Sequence, residues 1–187
     1  MFKNNLPSFN GINFINYFII KEDREKMGKK LSSDSRTFKI LTSKHNETRY
    51  LEEITEWVAS QLEDKKIIII PFPSTNMDKK ESEQLPFLVV KKLNSLSAKW
   101  VDGNGIILRS VSLPKNTRNE NEQLRSLSLK SDKLKGFFDI LIIDDVVTTG
   151  SSLQASLKLL LHSGYSAKAL AIARKVHLNE VPTGGVY

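Results

Sequence analysis

Ile140-Leu141-Ile142-Ile143-Asp144-Asp145-Val146-Val147-Thr148-Thr149-Gly150-Ser151-Ser152 is the stretch on which the reading of this 187-residue chain turns. Its first four residues are apolar, three of them isoleucine, and the run between Asp139 and Asp144 is too short for a helix. That pattern predicts a strand buried on both faces. Downstream, Ser152, Leu153, Leu157, Leu160 and Leu161 mark one helical face, and Gly164 follows as a C′ stop. Strand, loop and helix then form half of a βαβ unit.

In such units ligands bind beyond the carboxyl ends of the strands, where the loop Thr148 to Ser152 falls. Gly150 permits close backbone approach, the first helical turn offers unpaired N–H groups, and the four hydroxyls add donors. Dipole and N–H geometry together favour a dianionic phosphate there. Asp144 and Asp145 would repel that phosphate unless they faced something else. Sugar hydroxyls, or a magnesium ion with its waters, would satisfy them. Phosphate on one side, with diol and metal on the other, describes a ribose 5-phosphate. The plain alternative is a buried strand and a helix capped by Ser151, with two solvated aspartates; it requires the spacing to arise by chance at many positions.

These thirteen residues resemble the phosphoribosyl pyrophosphate signature of type I phosphoribosyltransferases. The resemblance implies an α/β fold, a Rossmann-like parallel sheet flanked by helices with a small N-terminal hood. It also implies that Asp144 and Asp145 are the catalytic pair, contacting the ribose hydroxyls and the Mg2+ shell, while Thr148, Thr149, Gly150, Ser151 and Ser152 wrap the 5-phosphate. A nitrogen nucleophile would displace pyrophosphate from C1 of phosphoribosyl pyrophosphate (PRPP). The protein's contribution would be positioning, neutralisation of the leaving group and exclusion of water.

Elsewhere, Leu51, Ile54, Trp57, Val58 and Leu62 recur at helical spacing, with Trp57 expected in the core. Ile67 to Ile70 is a second buried-strand signal, ending at Pro71-Phe72-Pro73-Ser74-Thr75-Asn76. Prolines stop regular structure there and the Ser-Thr-Asn cluster supplies donors. By the resemblance this loop holds pyrophosphate through Ser74 and Thr75, although the usual Gly or basic residue is missing and Lys79 is the nearest cation; a plain turn is the other reading. Leu85 to Leu96 reads as a helix with Pro86 in its first turn. Trp100-Val101 and Ile106 to Leu108 flank Asp102-Gly103-Asn104-Gly105, a turn or hairpin. Ser110 to Lys135 is polar and basic with almost no core pattern, which suggests a functional lid or a disordered stretch. In the family a flexible loop here closes over the site. Lys115 and Arg118, with Arg125, are its candidates for reaching pyrophosphate, and solvated side chains are the alternative for each. The last strand is expected at Ala167 to Ala173. His162 and His177 have no evident partner.

The length suits one domain over 1–187: a hood at 1–48, with short strands at Asn13 to Ile20 and Thr37 to Thr42, a core at 49–181, and a lid at 110–135. Without cysteine there is no disulfide, thiolate metal site or cysteine nucleophile. The apolar stretch Phe14 to Ile20 is too short to span a membrane, and no signal-peptide cleavage pattern follows it, so a cytoplasmic protein is expected. The net charge of +7 is spread over pairs such as Lys29-Lys30, Lys65-Lys66, Lys79-Lys80 and Lys91-Lys92. Solvated faces explain that spread more simply than a nucleic-acid patch, and a polyphosphate ligand also profits from a positive field.

In family members that salvage 6-oxopurines an Asp commonly stands where Thr148 stands here, which argues against hypoxanthine or guanine as acceptor. By texture the nearest group is the competence-associated ComF-like one, with its Asp-Asp-Val-x-Thr-Thr-Gly core and a preceding polar Gln-Leu segment, here Gln123-Leu124. That group usually carries a cysteine zinc finger, and this chain has no cysteine. The same fold also serves non-catalytic modules that sense PRPP or a nucleotide and regulate a nucleic-acid or protein partner, and effectors in competence or defence systems. The positive charge and the unusual Pro71 to Asn76 loop favour a sensor; the Asp pair and the long lid segment favour chemistry. A homodimer is compatible with either.

Overall fold

The computed structural model of the chain describes residues 1–14, 18–20, 48–75, 77–78, 80, 84–114, 117, 119–137 and 139–176. The expected strand at Thr37 to Thr42, and Asn76, Lys79, Lys115, Arg118 and His177, lie outside them.

Two isoleucine-rich runs make the centre of the sheet. β4 (Ile67–Pro71) and β8 (Ile140–Val147) pair in parallel from Ile68↔Ile140 to Pro71↔Ile143. Side chains alternate along each strand, so Ile68, Ile70, Ile140 and Ile142 enter one apolar cluster and Ile67, Ile69, Leu141 and Ile143 the other. A strand buried on both sides has no polar face to alternate with, which is why both read as unbroken apolar runs.

Each strand leads into a helix on a different face. Helix α1 (Thr48–Gln61) precedes β4, and α2 (Leu85–Leu96) connects β4 to β5 (Trp100–Asp102). Ile54 and Val58 of α1 and Val89, Val90 and Leu93 of α2 fill the cluster around Ile69 and Ile143, with Trp57 half-buried against it. Further on, α4 (Ser151–His162) connects β8 to β9 (Lys168–Val176) and covers the opposite cluster with Leu153, Ala155 and Leu160. Gly164, at φ +84°, ends that connection as its position past the helix suggested. β5 flanks β4 and β9 flanks β8, both in parallel. The winding of the four core strands therefore reverses between β4 and β8, and ligand crevices of open α/β sheets form at such a reversal.

Two expectations change, at Gly103 and within 110–135. Among the described residues of the N-terminal part, β1 (Ser8–Phe9) pairs with β2 (Ile12–Phe14), and β2 and β3 (Phe18–Ile20) both pair with β9. The residues flanking Gly103 make a turn but no hairpin, since β6 (Ile107–Arg109) pairs instead with β7 (Leu127–Leu129) in a small second sheet. Gly103 itself lies so close to β4 that a Cβ there would meet the Ile69 carbonyl oxygen at 2.8 Å. Within 110–135, the described residues include α3 (Glu120–Arg125), β7 and a 3₁₀ turn at Ser131–Leu134, with Gln123, Ser126, Leu127 and Leu134 buried. Sparse apolar residues hid this because short elements need only a few anchors; Asn119 caps α3 by accepting from the Asn121 N–H at 2.9 Å. No helix among the described residues is long and apolar enough to cross a membrane.

The Ile-rich pair predicts a steep local cost. Ile69→Ala, at a position with no exposed surface between β5 and β8, should lose about 2–5 kcal/mol of unfolding free energy. Urea unfolding should show a lower midpoint with unchanged slope.

Candidate functional site

The crevice arises because two strands end at different heights. β4 last pairs with β8 at Pro71↔Ile143, and the Phe72 N–H still donates to the Ile143 carbonyl at 2.8 Å, but the next N–H on that side, that of Ser74, turns away to Gln84 Oε1 at 3.0 Å. β8 runs on beside β9 with Asp144↔Ala171, Val146↔Ala173 and Val147↔Arg174. From Asp144 onward β8 has lost its β4 neighbour but kept its β9 neighbour. The opening between them is a cleft of about 240 Å³. Phe72 to Thr75 form one wall, Asp144 to Val146 the other, and Gln84, Pro86 and Ser152 complete the lining.

Asp144 and Asp145 stand side by side on the open edge. Each folds one carboxylate oxygen back on the following backbone: Asp144 Oδ1 accepts from the Asp145 N–H at 2.8 Å and Asp145 Oδ1 from the Val146 N–H at 2.7 Å. Burial, and then the neighbouring Asp145 charge, push the Asp144 carboxyl well above the ordinary aspartate range, while the Arg109 guanidinium pulls weakly the other way. Two adjacent carboxylates lining a cleft suit a cationic or hydroxyl-rich occupant.

The Thr149–Ser151 turn sits at the head of α4. Gly150, not Ser151, is the residue before the first helical position, at φ +86°, and the Ser151 N–H donates to Thr149 Oγ1 at 3.4 Å. Thr149 and Ser151 share a hydrogen between their hydroxyls at 2.5 Å, and the Gln154 N–H donates to the Gly150 carbonyl at 2.8 Å. Thr148 is exposed, Thr149 and Ser152 are half-buried, and Gly150 and Ser151 are buried. The β1–β2 turn supports this loop from behind. Ile12 Cδ1 lies 2.6 Å from where a Gly150 Cβ would be, and the Asn10 amide donates to the Thr149 carbonyl at 3.4 Å.

Across the cleft, the Ser74 peptide is fixed on both sides. Its N–H donates to Gln84 Oε1 at 3.0 Å, and its carbonyl accepts from Arg109 Nε at 2.9 Å. Gln84 and Arg109 are each only 7% exposed and neither stood out in the sequence. Arg109 follows an apolar strand and reads as a strand-end cation; only its burial marks it. Ser74 and Thr75 line the same cleft as Asp144, Asp145 and Ser152. Arg125 is exposed, at the end of α3. His162 is exposed at the end of α4.

No protein-family model matches the sequence, and comparison with curated proteins gave no match. Among solved structures, the adenine phosphoribosyltransferase of Thermoanaerobacter pseudethanolicus ATCC 33223 is similar with TM-score 0.45 and 16% identity, over 68% of this chain and 81% of that one. The enzyme of Leishmania tarentolae gives 0.41 and 11%, over 67% and 70%. That of Leishmania donovani gives 0.40 and 11%, over 67% and 64%. The α/β class of the chain stands on its own strand order and crossovers.

Two outcomes follow from the geometry. Gly150→Ala combines a left-handed φ, costing about 1–2 kcal/mol, with the Ile12 clash; adding Ile12→Val, which removes Cδ1, should recover only the steric part in a double-mutant cycle of unfolding free energies. For Asp144, a raised native-state pKa means the folded protein binds the proton more tightly than the unfolded chain, so ionisation weakens the fold as pH climbs from the ordinary aspartate range to the raised native value. Asp144→Asn should therefore melt higher than the parent at neutral pH, with the difference vanishing below about pH 4.

Proposed function

We propose that the chain is a phosphoribosyltransferase-type enzyme that uses Mg2+ and PRPP to transfer phosphoribose to a nitrogen acceptor, releasing pyrophosphate. The observation that supports this most is the Asp144-Asp145 pair on the open edge of β8, facing Ser74 and Thr75 across the cleft, with the head of α4 following in the chain. A sugar bearing phosphate at one end and pyrophosphate at the other matches that order of groups.

In this reading Thr148 to Ser152 bind the 5-phosphate, using the first-turn N–H groups of α4 and the hydroxyls around Gly150. Asp144 and Asp145 accept hydrogen bonds from the ribose hydroxyls. Ser74 and Thr75 face the pyrophosphate, and Lys115 and Arg118 join them on sequence grounds alone. Magnesium suits this donor set, because it favours one or two carboxylates with waters and substrate phosphates over an all-protein cage. No cluster of three ligating side chains occurs among the described residues. When bound, the ion supplies neutralisation of the leaving pyrophosphate. The C1–O bond breaks with its electron pair going to pyrophosphate, and the acceptor nitrogen makes the new C1–N bond. The chain's part is to hold sugar and leaving group in line and exclude water.

Incubation with Mg2+ and PRPP against a panel of nitrogenous bases should release pyrophosphate with at least one acceptor. Binding without release across the panel would favour a PRPP- or nucleotide-sensing regulator on the same fold. An Asp144→Asn, Asp145→Asn double variant should bind PRPP about 100-fold more weakly, the loss of two charge-assisted contacts. Unchanged affinity by calorimetry would remove these residues from the site.

A further inference from the structure

Arg109 is a buried cation that makes no ion pair among the described residues, and it spends its donors in two directions. Toward the cleft, Nε donates to the Ser74 carbonyl at 2.9 Å and Nη2 lies 3.5 Å from the Pro73 carbonyl. Toward the 110–126 segment, Nη1 donates to Ser126 Oγ at 2.6 Å and Nη2 to Gln123 Oε1 at 3.2 Å. Its guanidinium carbon lies 5.3 Å from the centre of the Phe72 ring, which also lines the cleft. Gln123 in turn donates to the Thr117 carbonyl at 3.1 Å, and the Leu113 N–H reaches the Thr75 carbonyl at 3.3 Å.

Burying a guanidinium is unfavourable unless its donors are satisfied, and an apolar residue would serve packing alone as well or better. What a planar fork adds is direction: several fixed donors that set the positions of several acceptors at once. Here those acceptors are the backbone of the cleft wall and the side chains that anchor the 110–126 segment. With Gln84 holding the Ser74 N–H, the backbone on both sides of Ser74 is pinned within the cleft wall.

We propose that Arg109 is a positioning residue: it sets the ligand-facing geometry of the Phe72 to Thr75 wall and ties that wall to the segment crossing from β6 to β7. This rests on the phosphoribosyl reading for the identity of the ligand, and on the hydrogen-bond geometry alone for the effect on the wall. A wall fixed in advance lets the ligand bind without first ordering the loop, so its loss falls on binding more than on the chemical step.

The full-length chain carrying Arg109→Met or Arg109→Lys tests it. Both should weaken binding of PRPP with Mg2+ about tenfold or more, as expected for hydrogen bonds to a charged group. They should raise KM far more than they lower kcat and speed amide hydrogen exchange in the peptide spanning 72–75. Lysine should rescue poorly because a single ammonium cannot bridge four acceptors. If Arg109→Met fails to fold, Gln123→Met removes one partner while keeping the cation and should give the same pattern at smaller size. Wild-type affinity and wild-type exchange at 72–75 in the folded variants would overturn the proposal. A parent protein that binds no PRPP would sink the phosphoribosyl reading instead, and the exchange measurement would still decide for or against Arg109.

Discussion

β8 outruns β4, and the rest of the site depends on that difference in length. Past Phe72 the ladder ends on one side of β8, because the next N–H on that side, that of Ser74, goes to Gln84 instead, while β9 continues it on the other through Arg174. The opening thus falls where the winding of the sheet reverses and no crossover helix covers the strand ends. It also exposes the edge of β8 at Asp144 and Asp145, after four fully buried residues.

Both walls of the cleft are irregular backbone, and both are held from behind by residues distant in sequence. The Thr149–Ser151 turn rests on Ile12 and Asn10, and the Pro73–Ser74 peptide on Arg109 and Gln84. α3 is joined to α4 through the Glu120–Lys158 ion pair at 2.5 Å, which places the base of the 110–126 segment beside the helix whose N-terminus borders the site. Burial and the neighbouring Asp145 push the Asp144 carboxyl up, so its ionisation works against the fold.

Much of this was legible in the chain itself. Ile67 to Ile70 and Ile140 to Ile143 could be little else than buried strands, Gly164 marked the end of α4, and Leu85 to Leu96 formed the helix its spacing implied. The strand after Ile143 was underestimated, because Asp144 and Asp145 look like a stop. They remain in β8 since β9 supplies the ladder partner, and pairing is a property of two strands, not one. The 110–135 segment was read as nearly featureless because α3 and β7 are short, and their buried residues include Gln123 and Ser126, polar side chains whose burial makes sense only once Arg109 is beside them.

The sequence by itself determined the α/β class, the two central strands and the glycine-bearing loop at the head of a helix, because each rests on local periodicity and backbone chemistry. Only the tertiary structure decided that β1 to β3 extend the sheet beyond β9, that the Asn10–Ile12 turn backs the Gly150 loop, and that a buried arginine and a glutamine hold the opposite wall. Those contacts join residues up to 157 positions apart, as Asn13 and Leu170 are, and a polar side chain carries no mark in sequence of the distant carbonyl that will satisfy it. Asp144 and Asp145 belong to both accounts: their spacing was visible, but the cleft they line exists because a neighbouring strand stops short.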